Sequence, residues 1–129
     1  MNEEEAMRLL KSLLDGEGAE WTEEQGFLRF RLQRGAMLWE TACRACGSTV
    51  LLYGRFPFRC ADPDRARRVC DELNGRLLRG ALYLDADGSP VFRCGADLDD
   101  VYGASERLAA ALRYSAQVVA FAWGRLSGT

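Results

Sequence analysis

Apolar residues recur with helical spacing in three stretches of the chain and alternate with polar ones in the stretches between. Near the start, Met7, Leu10, Leu13 and Leu14 form one stripe; Asn2, followed three residues later by Glu5, supplies an approximate capping signal, and the helix should end before Gly16. A second helix is predicted over 63–74. Asp62 can accept from its free amides, Pro63 suits its first position, Asn74-Gly75 stops it, and Ala66, Val69, Cys70 and Leu73 make its apolar face. The third starts near Ala104 or Ser105, with Leu108, Leu112, Ala116, Val119, Trp123 and Leu126 on one side. Its segment Val118–Trp123 is apolar almost all round, so it needs cover on more than one side, from its own sheet or a partner subunit.

Between the helices the period falls to two. Leu28, Phe30 and Leu32 alternate with Arg29, Arg31 and Gln33, as in a strand with one buried face. A turn centred on Arg34-Gly35 would set Leu32 opposite Met37, Phe30 opposite Trp39 and Leu28 opposite Thr41, with Arg29 facing Glu40. A second turn at Cys46-Gly47 would set Trp39 opposite Gly54, which then makes room for the indole. Residues 77–85 and 90–95 read as two further strands joined at Asp87-Gly88. The glycine-rich stretch 16–26, with a possible short extended piece over 19–22, reads as a loop, and the tail Ser127-Gly128-Thr129 is expected to fray. The prediction is therefore a single α+β domain spanning 1–129, with a mainly antiparallel five-stranded sheet and three helices in the order α-β-β-β-α-β-β-α.

Alternation has a second consequence. The outer sheet face should carry Arg29, Arg31, Leu38, Glu40, Leu51, Tyr53 and Arg55, a mixed surface with an apolar centre where a solvated face would be polar. Arg31, Leu38, Leu51, Tyr53 and Arg55 are thus the candidate contact residues for a protein segment or a second subunit; cover by the chain's own first or third helix is the alternative. A basic, aromatic face could also meet nucleic acid, but Glu40 in its middle and the acidic whole argue for protein.

Composition narrows the chemistry. With 129 residues, 48% hydrophobic and 28% charged, the chain suits one ordinary globular domain, and no apolar run approaches the roughly 20 residues of a membrane span. Net charge is −2, yet residues 1–24 hold eight acids and two bases (−6) while 25–80 hold eleven bases and five acids (+6). There is no histidine, which excludes Ser-His-Asp and Cys-His nucleophilic systems and imidazole metal sites. No GxxxxGK is present, and Gly16-Glu17-Gly18 alone is a weak dinucleotide signal. Asp85, Asp87, Asp97, Asp99 and Asp100 lack the spacing of a calcium loop and read as turn and helix-start residues. No enzymatic role and no cofactor is expected.

Cys43-Arg44-Ala45-Cys46-Gly47 is the sharpest local motif. Two thiolates on a knuckle could form half of a structural zinc site or a redox pair, and this is the alternative function; Cys60, Cys70 and Cys94 are scattered, and no second CxxC completes four ligands. Five cysteines without an export signal point to thiols in a reducing cytoplasm.

The segments ARRVCDELNGRLL and YLDADGSPVF, followed by a long closing helix, resemble the YbjN-like family, whose fold is similar to the type III secretion chaperones. Asn74, Asp85, Asp87 and Gly88 carry the resemblance, all in structural roles. It implies a chaperone-like or regulatory protein that binds a protein partner as a homodimer, and it brings no catalytic residue.

Overall fold

A computed structural model describes all 129 residues. The elements are α1 (Glu3–Gly16), β1 (Trp21–Glu24), β2 (Phe27–Arg34), β3 (Met37–Cys46), β4 (Thr49–Arg55), α2 (Pro63–Asn74), β5 (Ala81–Leu84), β6 (Pro90–Asp97) and α3 (Ala104–Ser127). Every strand pairing is antiparallel, in the sheet order β1-β2-β3-β4-β6-β5. The sheet thus has six strands where five were expected. The added strand, Trp21–Glu24, lies where a loop was predicted: its sequence WTEE offers one apolar residue, and only pairing with β2 gives it strand geometry.

The helices form as their local chemistry dictates. Asn2 accepts from the Glu5 amide at 2.8 Å, and Asp62 from that of Arg65 at 3.2 Å. The buried residues of α2 are the four predicted ones, Ala66, Val69, Cys70 and Leu73. Asn74 does more than end this helix. Its side-chain amide donates to the Leu82 carbonyl at 3.0 Å and accepts from the Leu82 amide at 2.8 Å, standing in for a neighbouring strand on the outer edge of β5. Nor does the tail fray: the Thr129 carbonyl accepts from the Asp62 amide at 2.8 Å, and the residue is buried.

Both early hairpins pair two positions away from the predicted register. Leu32 faces Trp39, Phe30 faces Thr41 and Leu28 faces Cys43; in the next hairpin, Thr41 faces Gly54 and Cys43 faces Leu52. The cause is the turn type. Gly35 (φ 59°) and Gly47 (φ 63°) are the first central residues of two-residue loops whose second residues, Ala36 and Ser48, have negative φ. That is the type II′ pattern, which wants glycine first, whereas the prediction had placed it second. A shift of two keeps every side chain on its predicted face. Arg29 still reaches Glu40 at 3.0 Å, diagonally.

All three helices pack on one face of the sheet, with α3 between α1 and α2 and lying over β4 and β6. Leu28, Trp39, Cys43, Val50, Leu52, Phe92 and Cys94 point into this layer and meet Leu10, Leu14, Leu73, Leu108, Val118, Val119 and Leu126. The stripe that α3 buries is Ala104, Leu108, Ala111, Ser115, Val118, Val119, Ala122 and Leu126; the predicted Leu112, Ala116 and Trp123 flank it, half-buried. Trp39 is buried as expected, but against Trp123, with ring centroids 6.2 Å apart. Gly54 makes room for the helix: a Cβ there would sit 3.1 Å from Val119 Cγ2 and 3.5 Å from Ser115 Oγ. Beside it, the hydroxyl of Thr41 is buried without a hydrogen-bond partner.

Two measurements follow. Gly54→Val should lower unfolding stability by about 1–3 kcal/mol through overpacking against Val119; an unchanged denaturant midpoint would contradict this helix–sheet contact. Thr41→Val, which removes an unpaired buried hydroxyl without changing shape, should leave stability equal or raise it by up to about 2 kcal/mol. A clear loss would mean that the hydroxyl has a partner.

Candidate functional site

With every helix on one side, the other face of the sheet is left open. Across β2, β3, β4, β6 and β5, one row reads Arg29, Ala42, Tyr53, Arg93, Ala81 and the next reads Arg31, Glu40, Arg55, Val91, Tyr83. A third runs Arg44, Leu51, Gly95, with Phe27 at the β2 end. The face is therefore the mixed one that alternation predicted. It holds a shallow cavity of about 360 Å³ lined by Phe27, Ala42, Tyr53, Tyr83 and Val91, with Arg29, Arg44, Arg55, Glu40 and Asp85 around them.

Aromatic rings set the floor and cations the rim. Phe27 meets Tyr53 edge-on at 6.3 Å. The guanidinium of Arg29 lies 5.6 Å and that of Arg44 5.8 Å from the Phe27 ring, and that of Arg93 lies 5.9 Å from Tyr53. Arg55 reaches Asp85 at 3.2 Å and Asp87 at 3.1 Å, tying the centre of the face to the β5–β6 turn. That turn is itself preorganised. Asp85 accepts from the amides of Asp87 and Ser89, and Gly88 takes φ 81°. Tyr83 is partly shielded, and burial first, then neighbouring Tyr53, raises its phenol above the usual range.

The five predicted contact residues fall into three places. Tyr53 and Arg55 line the cavity; Leu51 sits beyond it beside Gly95, in a second hollow with Tyr83 and Arg93. Arg31 and Leu38 are exposed towards the β2–β3 hairpin, Leu38 to 45%. Sequence reasoning missed Phe27, Ala42, Arg44, Tyr83, Val91 and Arg93. The last three could not be placed without knowing that β6 inserts beside β4; Phe27 and Arg44 obey the same alternation and were legible.

The CxxC motif does not form a site. Both cysteines lie on β3, where residues three apart point to opposite faces: Cys43 is buried in the core, and Cys46 is exposed at the strand end. No three His, Cys, Asp or Glu side chains group as metal ligands, so the alternative metal or redox reading fails on geometry. Burial, with Cys94 nearby, drives the Cys43 thiol far up. Burial also raises Cys70 and Cys94 to about 11 each, with Cys60 and Asp71 adding at Cys70, and Arg79 and Ser115 opposing at Cys94. The acidic run Asp97–Asp100 forms loop turns: Asp97 accepts from the Asp99 amide and Asp100 from that of Tyr102, while Arg107 donates to the carbonyls of Asp97, Asp100 and Tyr102. The α3 N-terminus has no side-chain cap.

No protein-family model and no curated protein matches this sequence. The fold is similar to that in the crystal structure of YbjN, a putative transcription regulator from E. coli, with a TM-score of 0.65 and 15% identity over 90% of this chain and 87% of that one. At that identity the likeness concerns the fold, which is YbjN-like. No helix is long and apolar enough to cross a membrane.

Thiol chemistry tests the placement. In native protein at pH 8, a thiol-specific reagent should label Cys46 rapidly and Cys43, Cys70 and Cys94 only on unfolding. The raised thiols also set a sign. The native state keeps protons that the unfolded chain releases above the ordinary thiol value of 9.0, so their contribution is intact below about pH 9 and lost as pH rises towards about 11. Fast labelling of Cys43 would contradict its place in the core.

Proposed function

We propose that this chain is a non-enzymatic regulatory or chaperone-like protein that holds a segment of a protein partner on its open sheet face and itself forms a homodimer. The observation that carries the reading is the uncovered face, where Phe27, Tyr53, Tyr83 and Val91 make an apolar centre amid arginines. Aromatic residues and arginine are the types that dominate protein contacts. A likeness in fold to a protein described as a transcription regulator is compatible with a regulatory role. Five unpaired cysteines suit a reducing cytoplasm.

The dimer uses a different surface. Two open faces laid together would set five arginines against five. Phe121, by contrast, stands 54% exposed on the outer side of α3, where a second copy would cover it.

Proximity labelling in the native cell, comparing the wild-type chain with a Tyr53→Ala, Leu38→Ser variant, tests the partner face. A defined set of proteins should be lost while cooperative unfolding is retained, because neither side chain lies in the core. An identical labelled set would overturn the proposal. For the dimer, light scattering at micromolar concentration should give twice the 14.4 kDa chain mass, falling to one with Phe121→Glu. A monomeric wild type would remove that part of the reading.

A further inference from the structure

From the charges on the open face we infer the chemistry of the segment it takes: an extended protein segment with an apolar or aromatic anchor flanked by carboxylates. The inference rests on the partner-binding reading above and gives it a ligand class. The three central rows of the face hold five arginines, Arg29, Arg31, Arg44, Arg55 and Arg93, against Glu40 in the middle and Glu24 at the β1 end of the Phe27 row, with Asp85 at the margin of the hollow. They are not equivalent. Arg29 is engaged by Glu40, and Arg55 by Asp85 and Asp87, so these two carry little free charge. Arg31, Arg44 and Arg93 have no acid within ion-pair distance, and Arg44 and Arg93 rest on the Phe27–Tyr53 pair. Their guanidinium groups therefore stand on the two sides of the apolar floor, oriented by the rings beneath and available to a carboxylate.

Geometry sets the length. Arg44 on β3 and Arg93 on β6 are separated by β4 and offset by two residues along the strands, about 12 Å in all, which is about three to four residues of extended chain. A side chain between two acids can then drop onto Ala42 and Val91, in a hollow of about 360 Å³. Two other occupants fit less well. A nucleic-acid strand brings a continuous negative charge past Glu40 and Asp85, which line the hollow, and needs open ring faces for stacking, whereas arginines already lie on Phe27 and Tyr53. The open face of a second copy brings like charge to like.

Fluorescence anisotropy on the full chain tests this with three dye-labelled probes: a short peptide with a central Phe flanked by Glu, the same peptide with Lys for Glu, and an oligo-dT strand of similar length. The Glu peptide should bind at least tenfold tighter than either other probe, with affinity falling as salt rises. Arg44→Glu with Arg93→Glu should weaken it at least tenfold, whereas the charge-matched Arg65→Glu with Arg113→Glu, on α2 and α3, should not. Absence of binding, equal binding of the Lys peptide, tighter binding of the oligonucleotide, or equal loss in the control pair would each overturn the inference. A Tyr53-dependent partner segment without acids would overturn it while leaving the partner face standing.

Discussion

Helix α3 can lie flat on the sheet only because β4 presents no side chain at Gly54. Val119 and Ser115 occupy that space, and the small residues Ala111 and Ala122 continue the close approach along the helix. Once α3 is seated over β4 and β6, α1 and α2 have one place each, on either flank and on the same side. Both consequences that matter for function follow. A continuous core forms beneath the helices, and nothing in the chain remains to cover the opposite face.

That face is exposed by topology and kept in shape by chemistry. A flat apolar surface of this extent would invite indiscriminate association. Here the apolar centre is small and slightly concave, and Phe27 and Tyr53 each carry a cation. The Arg55–Asp85–Asp87 contact fixes the β5–β6 turn at the margin of the cavity. Order on the open side is thus supplied by contacts within the chain.

Much of this was legible in the sequence because strand periodicity is insensitive to even-numbered errors. Misplacing glycine within two turns shifted both hairpins by two residues, yet Leu28, Phe30, Trp39 and Cys43 stayed in the core, and Arg29, Leu38, Tyr53 and Arg55 stayed outside. The local contacts were wrong, Trp39 with Gly54 among them, while the two faces were right. β1 was legible only in part: a short extended piece could be read over 19–22 between glycines, but WTEE lacks the apolar alternation that would assign it to the sheet. The full cavity was not legible either, because Val91, Arg93 and Tyr83 join Tyr53 only through the pairing of β6 with β4, a choice made over a long sequence separation. The CxxC motif, kept only as the alternative reading, forms no site for the converse reason: three-residue spacing converges in a knuckle and diverges on a strand.

The Asn74 clamp has a consequence for how the molecule ages. An asparagine followed by glycine is the dipeptide whose amide is lost most readily, because the next backbone nitrogen can attack the side-chain carbonyl and close a succinimide ring. In the fold, both ends of the Asn74 amide are held by Leu82, and the Gly75 nitrogen donates to the Asp71 carbonyl at 3.3 Å. The two reacting groups are thereby kept occupied by different partners. An unfolded chain has no such restraint, and a carboxylate gained there would return to face the Leu82 carbonyl with a second acceptor where a donor is required. Time spent unfolded would be recorded chemically at the edge of the sheet.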